Sequence, residues 1–291
     1  PLLSGIIRHR LCALLLGTLL LGACSAVKVG YSQAPALLYW WLDGHVDFSE
    51  AQGPRAREAL DQLQAWHRVQ ELPAYAELLG RMATLADGPV TEAQACQLSQ
   101  QVQQHLARLA DEAARQATPV ARTLDARQRQ HLTGHWARKN AKWQDEWLKG
   151  PPEQRLQRRA DKAAERDADL HGPLTPAQTA LVRRHVTQSA WTPEWGQQEM
   201  RRRQKAVLDA LTAIEQEALG AQEAEARLRG LWGQFMNPPA PADRERQQAW
   251  LAQGCQNIAE LHNSTTPEQR QRAARRLRAY EKDLRELAGR S

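Results

Sequence analysis

Residues 91–115 read TEAQACQLSQQVQQHLARLADEAAR, and within them Leu98, Val102, Leu106 and Leu109 recur at intervals of three and four. That spacing puts all four on one face of a helix and leaves glutamines and charged side chains on the other. Thr91 precedes the run and Gln94 stands three residues on, the chemistry of a capped helix start. The same period returns along the chain in Leu60, Leu63 and His67, with Trp66 beside them. It continues in Leu132, Trp136, Trp143 and Trp147, then in Met200, Val207, Leu211 and Ile214. The final runs are Leu251, Cys255 and Ile258, followed by Leu277, Tyr280, Leu284 and Leu287. No β-type alternation interrupts the series. The expected fold is all-α, an irregular multi-helix bundle of about eight to ten helices.

Punctuation between these runs is equally plain. Pro73 ends one helix after Glu71-Leu72, and Tyr75–Met82 resumes in a new direction. Gly150-Pro151-Pro152 stops the Trp-bearing helix; the helical domain expected over 34–291 is either one unit or two subdomains that divide there. Residues 153–170 are highly charged and poor in large apolar side chains, which fits either a solvated helix or a mobile arm. Thr175-Pro176-Ala177-Gln178 and Thr266-Pro267-Glu268-Gln269 repeat one pattern: Thr at the N-cap, Pro at the first helical position, Gln at the third. Capping alone explains the repeat, although with Leu174 it also resembles a short motif of small helical periplasmic chaperones.

The N-terminus carries an address. Arg8, His9 and Arg10 precede an apolar run from Leu11 to Leu21, and Gly22-Ala23-Cys24 closes it. A basic start, a short apolar stretch and small residues at its end make a secretory signal over residues 1–23, too short for the roughly 20 residues of a spanning helix. Leu21-Gly22-Ala23-Cys24 resembles the lipobox of bacterial lipoproteins, which implies acylation of Cys24 and a tie to the membrane through lipid. Ser25 after the Cys, by the same resemblance, implies sorting to the outer membrane, on its periplasmic face. Residues 24–33 would then be the lipidated Cys and a short linker. Beyond it lies the densest apolar cluster of the remaining chain: Leu37, Leu38, Tyr39, Trp40, Trp41 and Leu42.

An exported chain meets an oxidising compartment. With Cys12 in the signal and Cys24 acylated, Cys96 and Cys255 remain as an even pair, expected to form a disulfide between an early and a late helix. The alternative is two separate buried thiols. Net charge is +6, but 33 acidic residues accompany the basic ones, so nucleic acid is not an expected partner.

Signatures of chemistry are scarce. His131 and His135 stand at i, i+4 but lack the glutamate of a zinc-protease helix and a third ligand, so no metal and no cofactor are expected. Asp43 and Asp47, beside Trp40-Trp41, could serve as acid and base, or mark a helix end and the next cap. The basic clusters are Arg201-Arg202-Arg203 with Lys205, and Arg270–Arg278; the second is followed by Glu281, Asp283 and Glu286 and reads as a charge-laced helix surface, with contact to anionic lipid or lipopolysaccharide phosphates as the alternative.

Several segments together resemble a family of uncharacterised all-helical lipoproteins of Gram-negative bacteria, known only as a domain of unknown function. They are the lipobox at Cys24, Tyr39-Trp40-Trp41-Leu42-Asp43 with Val46-Asp47, and Trp66-His67-Arg68 with Glu71-Leu72-Pro73 and Tyr75. Later ones are Cys255, the segment His262–Arg270, Leu277 and Tyr280. The resemblance implies an envelope location and a helical fold and supplies no catalytic residue. The expected function is a non-enzymatic binding or assembly role in the periplasm, toward another envelope protein or an unfolded client. Trp40, Trp41, Trp136 and Trp143 are the candidate binding surface. A helical chaperone and a cell-wall hydrolase are the alternatives.

Overall fold

The computed structural model describes the backbone from Gly22 to Gly289 and side chains from Val27 onward. It is helical throughout, with no strand among the described residues. The helices are α1 (Gly22–Ser32), α2 (Ala34–Val46), α3 (Gln52–Gln70), α4 (Leu72–Leu85), α5 (Glu92–Ala121) and α6 (Ala126–Trp143). After a π-helical turn at Gln144–Leu148 come α7 (Pro152–His171), α8 (Pro176–Gln188), α9 (Pro193–Gln216), α10 (Ala221–Met236), α11 (Pro241–Asn263) and α12 (Pro267–Ala288). Twelve α-helices among the described residues exceed the eight to ten expected, and α1 and α10 account for the difference.

The segment 25–33, expected as a linker, is largely α1. What holds it is tertiary contact that composition does not reveal. Lys28 pairs with Asp283, at 3.2 Å, and with Glu286 on α12. The Tyr31 hydroxyl lies 3.1 Å from His67 Nδ1 on α3. Helix α10 starts where the Glu223 carboxylate accepts from the Gly220 N–H, and its Ala224 is fully buried. Residues 153–170 lie in α7, which packs against α8 and α12.

Four helices begin with complete capping boxes, at Thr91/Gln94, Asp125/Gln128, Thr175/Gln178 and Thr266/Gln269. At the two Thr-Pro-x-Gln repeats the glutamines do more than cap. Gln178 and Gln269 exchange side-chain hydrogen bonds of 2.8 and 3.1 Å, and each also donates across to the other's approach loop, at Ser264 O and Pro173 O. Gln52 and Gln128 form a second reciprocal pair, at 2.7 and 3.2 Å. Buried amides satisfied in this way fix how two helix starts face one another. The repeat is fully accounted for by this docking.

Helix α5 runs through the centre, touching α3, α10 and α11, while α12 returns to lie along α4 and also meets α1, α3 and α7. The α4–α12 seam is built of Ala83, Ala86, Ala273, Ala274 and Leu277. Small side chains there let the two helices approach closely. A larger core gathers Tyr39, Ala56, Val120, Leu124, Leu132 and Leu211 from α2, α3, α5, α6, α9 and the loop after α5. A third, smaller core surrounds a disulfide between Cys96 of α5 and Cys255 of α11, with Cα atoms 5.0 Å apart across 159 residues of sequence. Among the described residues no helix is long and apolar enough to cross a membrane.

Candidate functional site

Six tryptophans converge where α6, the π turn, α9 and α11 meet. Trp136 and Trp143 come from α6, and the π turn carries Trp147 so that its ring lies 5.8 Å from that of Trp143. Such turns insert a wider loop into a helix and re-aim the side chains that follow. Trp191 precedes the start of α9, where Thr192 caps the Trp195 N–H. The Trp195 ring is buried and its Nε1 donates to Asp243 at 3.0 Å. Trp143 meets Trp191 edge-on at 6.3 Å, and Trp195 meets Trp250 of α11 edge-on at 6.4 Å. Edge-to-face pairs of this kind are the favoured aromatic geometry. Gly196 makes the arrangement fit: a Cβ there would lie 2.8 Å from the Trp191 ring.

These rings wall two adjoining clefts. One, of about 400 Å³, is lined by Trp136, Trp191, Trp195, Phe235, Trp250 and Arg203. The other, of about 560 Å³, is lined by Trp143, Trp147, Arg159, Arg166, Asp167 and Ile258, among others, and shares Trp191 and Trp250 with the first. Helix α7 contributes the charge. Its Arg159, half-buried, donates to Val186 O and Trp191 O at 3.1 and 3.0 Å and lies 5.4 Å from the Trp191 ring. Burial lowers its pKa. Lys162 and Arg166 line the same wall. In the first cleft the buried Glu199 carboxylate is gripped by Arg202, at 2.8 and 2.7 Å, and Arg203 donates to Phe235 O.

Asp167 sits among the cations of the larger cleft, yet burial pushes its carboxyl up to about 6, with Arg166 and His185 pulling the other way. A raised carboxyl favours the protonated form when folded. Its stability contribution is therefore whole below the ordinary value near 4 and is lost as pH rises through about 6. Asp167→Asn is expected to stabilise the protein at pH 8 by roughly 2–3 kcal/mol and to be neutral at pH 4. Urea unfolding at the two pH values checks this; an equal effect at both would refute it.

The four candidate tryptophans thus separate into two places. Trp136 and Trp143 are half-buried walls of the clefts, whereas Trp40 and Trp41, 67% and 57% exposed, stand on α2 and line neither cleft. The side chain of Cys24 lies outside the described residues. Trp191, Trp195, Trp250 and Arg159 are contributors that periodicity did not single out. Ile258, read as a core position beside Cys255, is 56% exposed at the cleft instead.

Other candidates are absorbed by structure. Asp43 Oδ1 accepts from the Phe48 N–H at 3.1 Å, and Asp47, the left-handed C-cap of α2, pairs with Arg127, which holds its carboxyl below the usual range. The two carboxylates close a helix end and line neither of the Trp clefts. His131 approaches Gly44 O, and His135 lies against His45 with the rings tilted by 38° and their centres 3.8 Å apart. Among the described residues no group of three or more His, Cys, Asp or Glu could hold a metal ion. In the basic run of α12, Arg270, Arg276 and Arg278 bind Asn263 O, Asp169 O and Asp87.

No curated protein and no solved structure matches the chain. A family of unknown function, DUF6279, matches residues 44–232, a span that holds α3 to α9, most of α10 and five of the six converging tryptophans. With more than half of its 291 residues covered by that match, the chain belongs to the DUF6279 family.

Proposed function

We propose that this protein is a Gram-negative envelope lipoprotein, anchored through acylated Cys24 on the periplasmic face of the outer membrane, with a non-enzymatic binding role. Its Trp groove receives a segment of another envelope protein. The observation that carries the reading is the groove itself: six tryptophans around two clefts, with Arg159, Lys162 and Arg166 along one wall. Tryptophan and arginine in partly desolvated pockets are the residues that dominate protein recognition. The matching partner segment carries apolar side chains next to carboxylates. Support for the location comes from the Leu21-Gly22-Ala23-Cys24 sequence and from the Cys96–Cys255 disulfide, a bond characteristic of oxidising compartments. The binding reading is preferred to a hydrolase because Asp43 and Asp47 are occupied as caps.

The test is purification of the lipidated protein from envelopes beside a Trp250→Ala, Arg166→Glu variant, both positions being exposed. A specific partner retained by the native chain and weakened about 30-fold or more in the variant is the expected result. Peptidoglycan cleavage that Asp47→Ala abolishes would replace the reading with a hydrolase. Equal protection of many unrelated unfolded clients would replace it with a chaperone. Mass analysis of the N-terminal peptide separately decides acylation of Cys24.

A further inference from the structure

Helix α2 presents an apolar face that nothing among the described residues covers. Trp40, Leu37, Trp41 and Leu38 are 67%, 61%, 57% and 44% exposed. At about 100° per residue they span an arc of roughly 160°, while Tyr39 on the opposite side enters the main core. Val29 on α1 is likewise 56% exposed. From Val29 to Leu42 there is no Asp, Glu, Lys or Arg. Lys28, the cation that precedes this stretch in the sequence, is engaged by Asp283 and Glu286, and Arg57 lies over the ring of Tyr39 on the core side of α2.

We infer that this face of α2 docks into the headgroup–acyl boundary of a lipid bilayer. Three observations select that occupant. The first is composition: an uncharged face carrying two adjacent tryptophans has the amphipathic rings that settle at membrane interfaces. The second is reach. Leu37 stands thirteen positions after Cys24, and the chain between them is helical but for the turn at Gln33 rather than extended. At about 1.5 Å per residue the face lies within roughly 20 Å of Cys24. This step rests on the lipid-anchored reading proposed above. The third is size. Five partly exposed side chains offer roughly 500–600 Å² of apolar surface. That is less than the ~800 Å² per partner of a standard protein–protein interface, so a second copy of the chain is the weaker fit.

The docking holds α2 flat on the membrane and fixes the orientation of the body, which an acyl anchor alone would leave free to swivel.

The test uses the full lipidated protein on phosphatidylcholine–phosphatidylglycerol vesicles whose acyl chains carry bromine near the headgroup. Bromine quenches tryptophans at that depth, and Trp40 and Trp41 are two of the ten in the chain. Quenching of about a fifth of the emission is expected, falling almost to zero in Trp40→Phe/Trp41→Phe, which keeps the face apolar but removes the reporters. Vesicle-bound protein with no quenching, or with equal quenching in the variant, overturns the docking while leaving the anchor intact. If Cys24 proves unacylated, the anchor reading fails. Quenching lost in the double variant on vesicle addition would still support docking, and its absence would overturn it. Cross-linking of two copies through a cysteine placed at Leu37, on vesicles, would also overturn the docking by assigning the face to a dimer.

Discussion

Reducing the Cys96–Cys255 disulfide is expected to lower the unfolding free energy by up to about 5 kcal/mol, the largest change any single bond in this fold should produce. The bond closes a loop spanning 159 positions, from the second turn of α5 to the middle of α11. In the chain-entropy account the stabilisation arises in the unfolded chain, which loses most of its freedom when two such distant points are tied. Native packing enters as well, because Cys255 is buried against Val90 and Ala95. Comparing oxidised and reduced native protein keeps that packing nearly constant, whereas Cys255→Ala would add a cavity cost of its own. The measurement is the urea midpoint with and without reductant, alongside thiol titration of the unfolded, unreduced chain. In a protein lacking residues 1–23 and carrying Cys24→Ser, so that Cys96 and Cys255 are the remaining cysteines, two free thiols in that titration, or coincident midpoints, would sink the prediction. A clear loss would also explain how α11, which joins α5 through a small core, stays seated there.

The helical character of the chain is legible because its signals are local. Capping boxes at Thr91, Thr175 and Thr266, proline at helix starts and the three–four period all act within one or two turns. Where the periodicity misleads, the cause is tertiary. Val102 and Leu106, on the stripe that opens the reading of the fold, are each 41% exposed, while α5 buries Ala95, Ala114 and Val120 instead. The helix also continues six residues past Arg115, through Pro119, to Ala121. Helix α1 carries no strong helical signal of its own and is held by Lys28 and Tyr31 reaching α12 and α3. The groove is the least legible feature. Trp136 and Trp143 share a helix and could be paired by spacing. Bringing Trp191, Trp195 and Trp250 to them requires the packing of α9 and α11, which no local pattern encodes. The exposed and clustered tryptophans are alike in sequence and differ only in what the fold places opposite them.

Stripping His105 and Arg108 from Glu71 should cost nearly as much as the disulfide. Glu71 stands between α3 and α4, where its backbone N–H donates to His67 O and its carbonyl accepts from Tyr75 N–H. Its side chain is only 1% exposed, with Arg108 Nε at 2.8 Å and His105 Nδ1 at 2.7 Å from the carboxylate. Around it Tyr75 meets His105 and His67 edge-on, and burial together with the Glu71 charge pushes the Tyr75 phenol up to about 12. The cluster thereby joins α3, α4 and α5, and through His67 and Tyr31 it reaches α1. A buried carboxylate deprived of its partners typically costs about 3–5 kcal/mol, so His105→Leu with Arg108→Ala should destabilise by that order. Arg108→Ala alone should cost only about 1–2 kcal/mol, because its guanidinium is half exposed and His105 remains in place. Adding Glu71→Gln to the double variant removes the stranded charge and should recover most of the loss. Urea unfolding of all four proteins at pH 7 gives the comparison. Were the double variant within 1 kcal/mol of native, or the triple no better than the double, the carboxylate would not be the element that holds these four helices in register.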